Sequence, residues 1–184
     1  MIVLYIGIGV VLLLILSFVI IYNVLVKAKN KVEEAFSNID VYLKKRYDLI
    51  PNLINTVKGY MKHESELLTE TTQIRADAMQ AQTTNDTVSK NNKLGSNVRR
   101  IMAISENYPQ LHASKNFLEL QKALSDVEME ISDHRKEYNA AVTSYHNKLN
   151  VFPNNIIGKM FNYTEFELFV VTDAKERENV VVEF

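Results

Sequence analysis

The chain has 184 residues, with 21 basic and 22 acidic side chains and a formal net charge of −1 at pH 7. This balance, together with the lack of a basic patch interleaved with aromatic residues, argues against a nucleic-acid partner, and the absence of cysteine excludes disulfides and thiolate chemistry. Five glycines and three prolines are few for a fold with many tight turns, so we expect an all-α class.

The first predicted element is an apolar helix from Ile2 to Ile21, a stretch without a charged residue. Twenty residues at about 1.5 Å of rise span roughly 30 Å, the thickness of a bilayer's hydrocarbon core. Tyr5 and Tyr22 lie near the two ends, where tyrosine prefers the lipid interface. A cleaved signal peptide would have a basic start and a small-residue exit, and the sequence has neither. Residues 1–22 are therefore predicted to form a retained transmembrane anchor.

Three lysines follow the span directly, at Lys27, Lys29 and Lys31, and no basic residue precedes it. Under the positive-inside rule this asymmetry predicts an amino terminus outside the cell and a cytoplasmic domain. We expect the three lysines to lie at an anionic membrane surface, so that the lipid bilayer itself is the first predicted partner.

The apolar helix is predicted to continue into the soluble domain, because no glycine or proline occurs between Gly9 and Pro51. Apolar residues recur at helical spacing beyond the anchor, at Leu25, Ala28, Val32, Ala35, Ile39 and Tyr42. We therefore expect one unbroken helix across residues 22–42, which would fix the orientation of a helical domain spanning residues 23–161.

Pro51 is predicted to open a second helix, with Asp48 as its capping residue. A seam of steps of three and four residues favours continuing that helix to about Ala81. Polar residues then predict a turn, and Tyr108–Pro109 ends a weaker third helix. The predicted later helices are about 87–107, about 116–152 and a short helical turn ending near Phe161.

The last segment, residues 162–184, has a different pattern and is predicted to be an extended or β-like tail. Val180, Val181 and Val182 are β-branched and precede Glu183 and Phe184. Two short strands and an extended arm are both compatible with this pattern. Because an unpaired strand adds to a neighbour's edge, we expect the tail to support self-association and a homo-oligomer.

A charged cluster lies near the end of the first predicted helix. Asp40 precedes Lys44 by four residues, the favourable order for an ion pair on one helix face. One interpretation is a salt-bridged turn that fixes the first helix against the second, and the other is a docking face for an acidic partner. The candidate residues are Asp40, Lys44, Lys45, Arg46, Tyr47, Asp48, Pro51 and Asn52.

The best case for a metal site is Glu130 with His134, four residues apart. Di-iron bundles require repeated Glu-x-x-His pairs, and this chain has none. A hydrogen-bonded core histidine is the alternative for His134. We therefore expect no catalytic residue, no metal and no cofactor, while a metal- or small-ligand-binding sensor stays open as a second hypothesis.

Several motifs resemble the signature of the LemA family. The most specific run is Arg46–Leu53, preceded by Ala35–Val41, and further matches include Glu106–Pro109 and the ending Val182–Phe184. The resemblance covers essentially the whole chain. It implies a bacterial protein with one amino-terminal membrane helix and a long antiparallel helical bundle, here of four main helices, and it implies no established activity or cofactor.

Together these features predict a non-enzymatic scaffold in the bacterial inner membrane that self-associates, docks partner proteins, or does both. An accessory subunit of a membrane protease or transporter is a further alternative, with a membrane protein as its partner.

Overall fold

A computed structural model describes residues 1–169 of the chain, and all regular structure in that range is helical. One 3-10 turn, Lys62–Glu64, precedes the second helix. This confirms the all-α class for the described residues, and the predicted tail strands lie outside them. The helices are α1 (Ile2–Val57), α2 (Ser65–Met79), α3 (Thr84–Ser105), α4 (Pro109–His112), α5 (Lys115–Leu149) and α6 (Asn154–Met160).

Helix α1 is one element of 56 residues, and the predicted continuity across residues 22–42 is confirmed. Its amino-terminal part is long and apolar enough to cross a membrane, with a mean hydropathy of 3.0 over an 18-residue window and none of that window buried. The later part of α1 has one buried face, which is formed by apolar residues at helical spacing. This face comprises Leu25, Ala28, Val32, Ile39, Leu43, Tyr47, Ile50, Leu53 and Val57.

The predicted helix start at Pro51 is wrong, because α1 continues through this proline and ends only at Val57. Asp48 is accordingly an exposed residue inside α1 rather than a cap. A proline in a helix interior cannot donate to the carbonyl four residues earlier, here that of Tyr47. Arg75 of α2 supplies the missing donor, since its Nε lies 2.6 Å from the Tyr47 carbonyl oxygen. A tertiary contact thus replaces the lost helical hydrogen bond.

The predicted long second helix is also interrupted, between Val57 and Ser65. Gly59 lies in this break, and Tyr60 is 44% exposed, whereas Met61 is fully buried. Apolar residues continue at helical spacing across the break, because α1 before it and α2 after it both contribute side chains to one core. That core contains Leu53, Val57, Met61, Leu67, Leu68, Ile101, Leu111, Phe117 and Leu124.

The third and last long helices lie close to their predicted positions. Thr83 caps α3, since its hydroxyl oxygen accepts a hydrogen bond from the Asp86 backbone N–H at 3.1 Å. Helix α3 ends at Ser105, shortly before Pro109, and this proline occupies the first turn of the short α4. Helix α5 has 35 residues and ends at Leu149, three residues earlier than predicted. Helix α2 packs against α3.

The chain divides into two compact units by its internal contacts. The first unit joins Met1–Ser37 to Lys136–Phe166, and the second joins Asn38–Arg135 to the described residues 167–169. In the first unit the buried side chains include Tyr138, Val142, Tyr145, Leu149 and Ile157.

Candidate functional site

The most unusual feature of the second unit is Arg46, whose side chain is completely buried. Its Nη1 donates to a carboxylate oxygen of Glu128 on α5 at 2.9 Å. Its Nη2 donates to the side-chain oxygen of Asn91 on α3 at 2.5 Å and to the Asn91 carbonyl at 3.2 Å. One guanidinium therefore joins three helices. A charge buried in this way is tolerated only when it is paired and hydrogen-bonded.

Asn91 extends this network. Its Nδ2 donates to the Tyr47 hydroxyl at 2.6 Å and to the Thr87 carbonyl at 2.8 Å. Burial is the main cause that raises the pKa of Tyr47 above its usual value. The hydroxyl of Tyr47 accepts a hydrogen bond from an amide that is itself fully buried. We refer to Arg46, Tyr47, Asn91 and Glu128 as the Arg46 network.

Gly95 of α3 allows the helix to approach this network closely. A Cβ at this position would lie 3.1 Å from Arg46 Nη1 and 3.7 Å from a guanidinium nitrogen of both Arg99 and Arg135. Three guanidinium groups therefore converge on one glycine. An alanine Cβ here would require the Arg46 guanidinium, which Glu128 and Asn91 hold, to shift by a few tenths of an ångström, and a larger side chain would have to displace it.

Arg135 shows the electrostatic consequence of this crowding. Its pKa falls to about 10, first because burial disfavours the charged form and second because Arg46 repels it. Its guanidinium carbon lies 5.0 Å from the centroid of the Phe169 ring, within cation–π range. The cluster is rich in cationic donors and offers one carboxylate, Glu128. Such chemistry suits the pairing of helices or the binding of an anion.

The predicted docking residues separate into two groups in the structure. Arg46 and Tyr47 are buried, and Pro51 is partly buried within α1. Asp40 and Lys44 form the ion pair expected from their spacing, with Oδ2 and Nζ 2.7 Å apart. The salt-bridged turn is wrong, because residues 48–51 are helical and Arg46 contacts α3 and α5. The exposed members of the cluster are Lys44, Lys45, Asp48 and Asn52.

The candidate metal residues lie beside an aromatic ring. His134 stacks on Tyr42, with centroids 5.1 Å apart and 24° between the planes. The negative charge of Glu130 is the main cause that raises the pKa of Tyr42. Within residues 1–169, no group of three or more His, Asp or Glu side chains is arranged to hold a metal ion.

The predicted membrane-interface residues lie on the first unit. Tyr5 is exposed within the apolar part of α1, and Lys27, Lys29 and Lys31 are exposed beyond it. Tyr22 is partly buried, and its ring centroid lies 4.9 Å from that of Phe161, just after α6.

Sequence reasoning missed two residues that organise the second unit, Asn91 and Arg75. Asn91 had a detectable signal, because it precedes Leu94 and Val98 at core spacing and so places an amide on an apolar face. Arg75 had none, since its partner is a backbone carbonyl 28 residues away in the chain.

Comparison with known proteins adds to this picture. The model of the LemA family matches residues 35–184. Protein LemA of Metamycoplasma hominis is 26% identical over 88% of this chain and 73% of its own length. Magnetosome protein MamQ 2 of Paramagnetospirillum magneticum and magnetosome protein MamQ of Magnetospirillum gryphiswaldense are each 21% identical over 80% of this chain. The chain spans 64% of the length of these two magnetosome proteins.

Proposed function

The chain belongs to the LemA family, and from that premise we propose that it is a non-enzymatic, membrane-anchored helical scaffold. The scaffold self-associates, docks partner proteins, or does both, at the cytoplasmic surface of a bacterial inner membrane. Its four main helices, α1, α2, α3 and α5, are proposed to form an antiparallel bundle.

The observation that carries this proposal is the change in character along α1. From Ile2 to Ile20 nearly all its large apolar side chains are exposed. Water-exposed apolar surface of this extent is unfavourable, and a bilayer removes it. Beginning at Leu25, the same helix buries one face in the protein. A single element thus serves as the anchor and as part of the core.

The buried polar groups support a scaffold rather than an enzyme. Arg46, Asn91 and Glu128 are on three different helices and are used to join them. Buried hydrogen-bonded networks of this kind favour one packing arrangement over others. The exposed residues Lys44, Lys45, Asp48 and Asn52 are the proposed docking face of the scaffold.

The proposed orientation places the amino terminus outside and the helical domain in the cytoplasm. Its support is the positive-inside rule, because Lys27, Lys29 and Lys31 follow the apolar segment.

Self-association is tested by deleting Val180–Phe184 from the full-length protein. In detergent, light scattering should give a mass of several chains for the unaltered protein and a smaller mass for the deletion, since the tail is the proposed strand-pairing segment. Replacing Val180, Val181 and Val182 with serine should act like the deletion, whereas Glu183→Gln should not. An unchanged mass in the deletion variant would contradict the proposed role of the tail, and a single-chain mass for the unaltered protein would contradict self-association.

Elemental analysis of the purified protein distinguishes the scaffold from a metal-binding bundle. Iron, manganese or zinc in a stoichiometric amount, lost in the His134→Ala variant, would overturn the scaffold proposal.

A further inference from the structure

A short segment around α6 exposes a group of large apolar side chains. Their exposed fractions lie between 45% and 78%, although they belong to the part of the first unit that follows α5. Large contiguous apolar surface on a folded protein marks a place where something else binds. We call this group the α6 patch; it consists of Val151, Phe152, Ile156, Met160 and Phe161.

The opposite side of α6 is fixed to the protein. Ile157 is 6% exposed, and Gly158 is so close to Leu149 that a Cβ there would overlap the leucine side chain. Asn154 donates from Nδ2 to the Lys148 carbonyl at 2.8 Å, which ties the start of α6 to the end of α5. Because Ile157 and Gly158 pack against the protein, the other side of α6, which carries the patch, faces outward.

The patch lies at the membrane end of the first unit. The ring of Phe161 is 4.9 Å from Tyr22 and 6.0 Å from Phe18, measured between centroids. Phe18 belongs to the apolar segment of α1, about one helical turn before its end. One member of the α6 patch, Phe161, thus packs against the end of the proposed anchor.

The charge of the segment fits the surface of an anionic bilayer. Residues 148–163 contain no aspartate or glutamate, and the two charged side chains among them are Lys148 and Lys159. Aromatic rings with flanking lysines are typical of segments that lie in the headgroup region.

We infer that the α6 patch is a second membrane contact, inserted into the headgroup region of the same bilayer that α1 spans. The inference rests on the proposed anchor and adds a lipid-binding surface contributed by a distant part of the sequence. Two contacts on one bilayer would limit tilting of α1, because α6 is fixed to α5 and Phe161 to α1.

The test uses single-cysteine variants of the full-length protein, which has no cysteine of its own. Phe152→Cys and Ile156→Cys are spin-labelled and reconstituted into vesicles of phosphatidylethanolamine and phosphatidylglycerol. Leu13→Cys, in the span, is the lipid reference. Ser37→Cys, an exposed residue of the first unit roughly 24 Å along α1 beyond the span, is the water reference. Collisions with oxygen report lipid, and collisions with a water-soluble nickel chelate report water.

We expect the labels at positions 152 and 156 to show an oxygen-to-nickel ratio several-fold above that at position 37 and below that at position 13, because the headgroup region is shallower than the middle of the span. A ratio equal to that at position 37 would overturn the inference and leave the anchor intact. Protection from both reagents would also overturn it, because protein would then cover the patch. Water accessibility at position 13 would instead refute the anchor and, with it, the premise of the inference.

A second variant guards against a labelling artefact. The chain has no tryptophan, so Phe152→Trp introduces a single indole with little change in shape. Lipids brominated near the headgroup should remove most of its emission. Unchanged emission would contradict the inference, provided that the circular dichroism spectrum shows the helical content of the unaltered protein.

Discussion

Replacing Arg46 with methionine should cost about 3 kcal/mol of unfolding free energy, the lower end of the range for breaking a buried ion pair. The methionine leaves the Glu128 carboxylate and the Asn91 side-chain oxygen without their shared donor. The cost stays at the lower end because the Glu128 side chain is 22% exposed and because Arg135 is relieved of repulsion from Arg46. Thermal unfolding of the full-length protein in detergent, followed by circular dichroism, should show a midpoint lowered by roughly 10 °C.

Lys44→Met is the matched control, two positions earlier on the same helix. Lys44 is exposed and pairs with Asp40 in an i,i+4 bridge, so its loss should cost less than about 0.5 kcal/mol. Equal effects of the two substitutions would show that burial of Arg46 contributes nothing. The Arg46→Met, Glu128→Met double variant should cost less than the sum of the single variants, because it removes the unpaired charge along with its partner.

Replacing Arg75 with methionine should cost about 1–3 kcal/mol, the penalty for a buried acceptor without a partner. The acceptor is the carbonyl of Tyr47, which Pro51 cannot satisfy. In a Pro51→Ala background the backbone N–H gained at position 51 can donate to the same carbonyl. The cost of Arg75→Met should then fall well below its value in the unaltered protein, and thermal unfolding of the four proteins measures the coupling.

Arg100→Met is the control for loss of an arginine, since Arg100 is exposed on α3. It should change the unfolding free energy by no more than about 0.5 kcal/mol. If Arg75→Met costs the same with proline and with alanine at position 51, the contact does not compensate for the proline.

The features that followed from sequence were those set by local pattern. Hydropathy and the lack of helix breakers predicted the long α1, because both signals can be read from short stretches of the sequence. The polar turn before α3 and the break before Pro109 are likewise local, and the structure shows helices that begin close to each of them.

The features that were missed depend on distant parts of the chain. Pro51 was interpreted as a helix start since no local pattern shows that Arg75 replaces the missing donor. The helix break at Gly59 could not be predicted, because apolar residues of α1 and α2 belong to one core and keep a helical spacing across the break. Arg46 belongs to the charged cluster that the sequence shows, and its burial depends on Asn91 and Glu128, which are 45 and 82 residues away.

The α6 patch illustrates the same limit. Residues 148–163 show no periodicity that marks a membrane contact, and only the ring contacts of Phe161 with Phe18 and Tyr22 place them beside the anchor. The aromatic residues and lysines of the segment indicate a membrane contact only because the segment lies beside the anchor.

The central claim is that α1 passes from the bilayer into the protein as one unbroken helix. Two spin labels at Val19→Cys and Ser37→Cys, both on exposed positions, test it in reconstituted vesicles. Their separation of 18 positions in the sequence corresponds to about five helical turns, so the labels share a face and should lie roughly 27 Å apart. A single narrow distance distribution near that value is expected, and a broad or clearly shorter distribution would contradict a continuous helix.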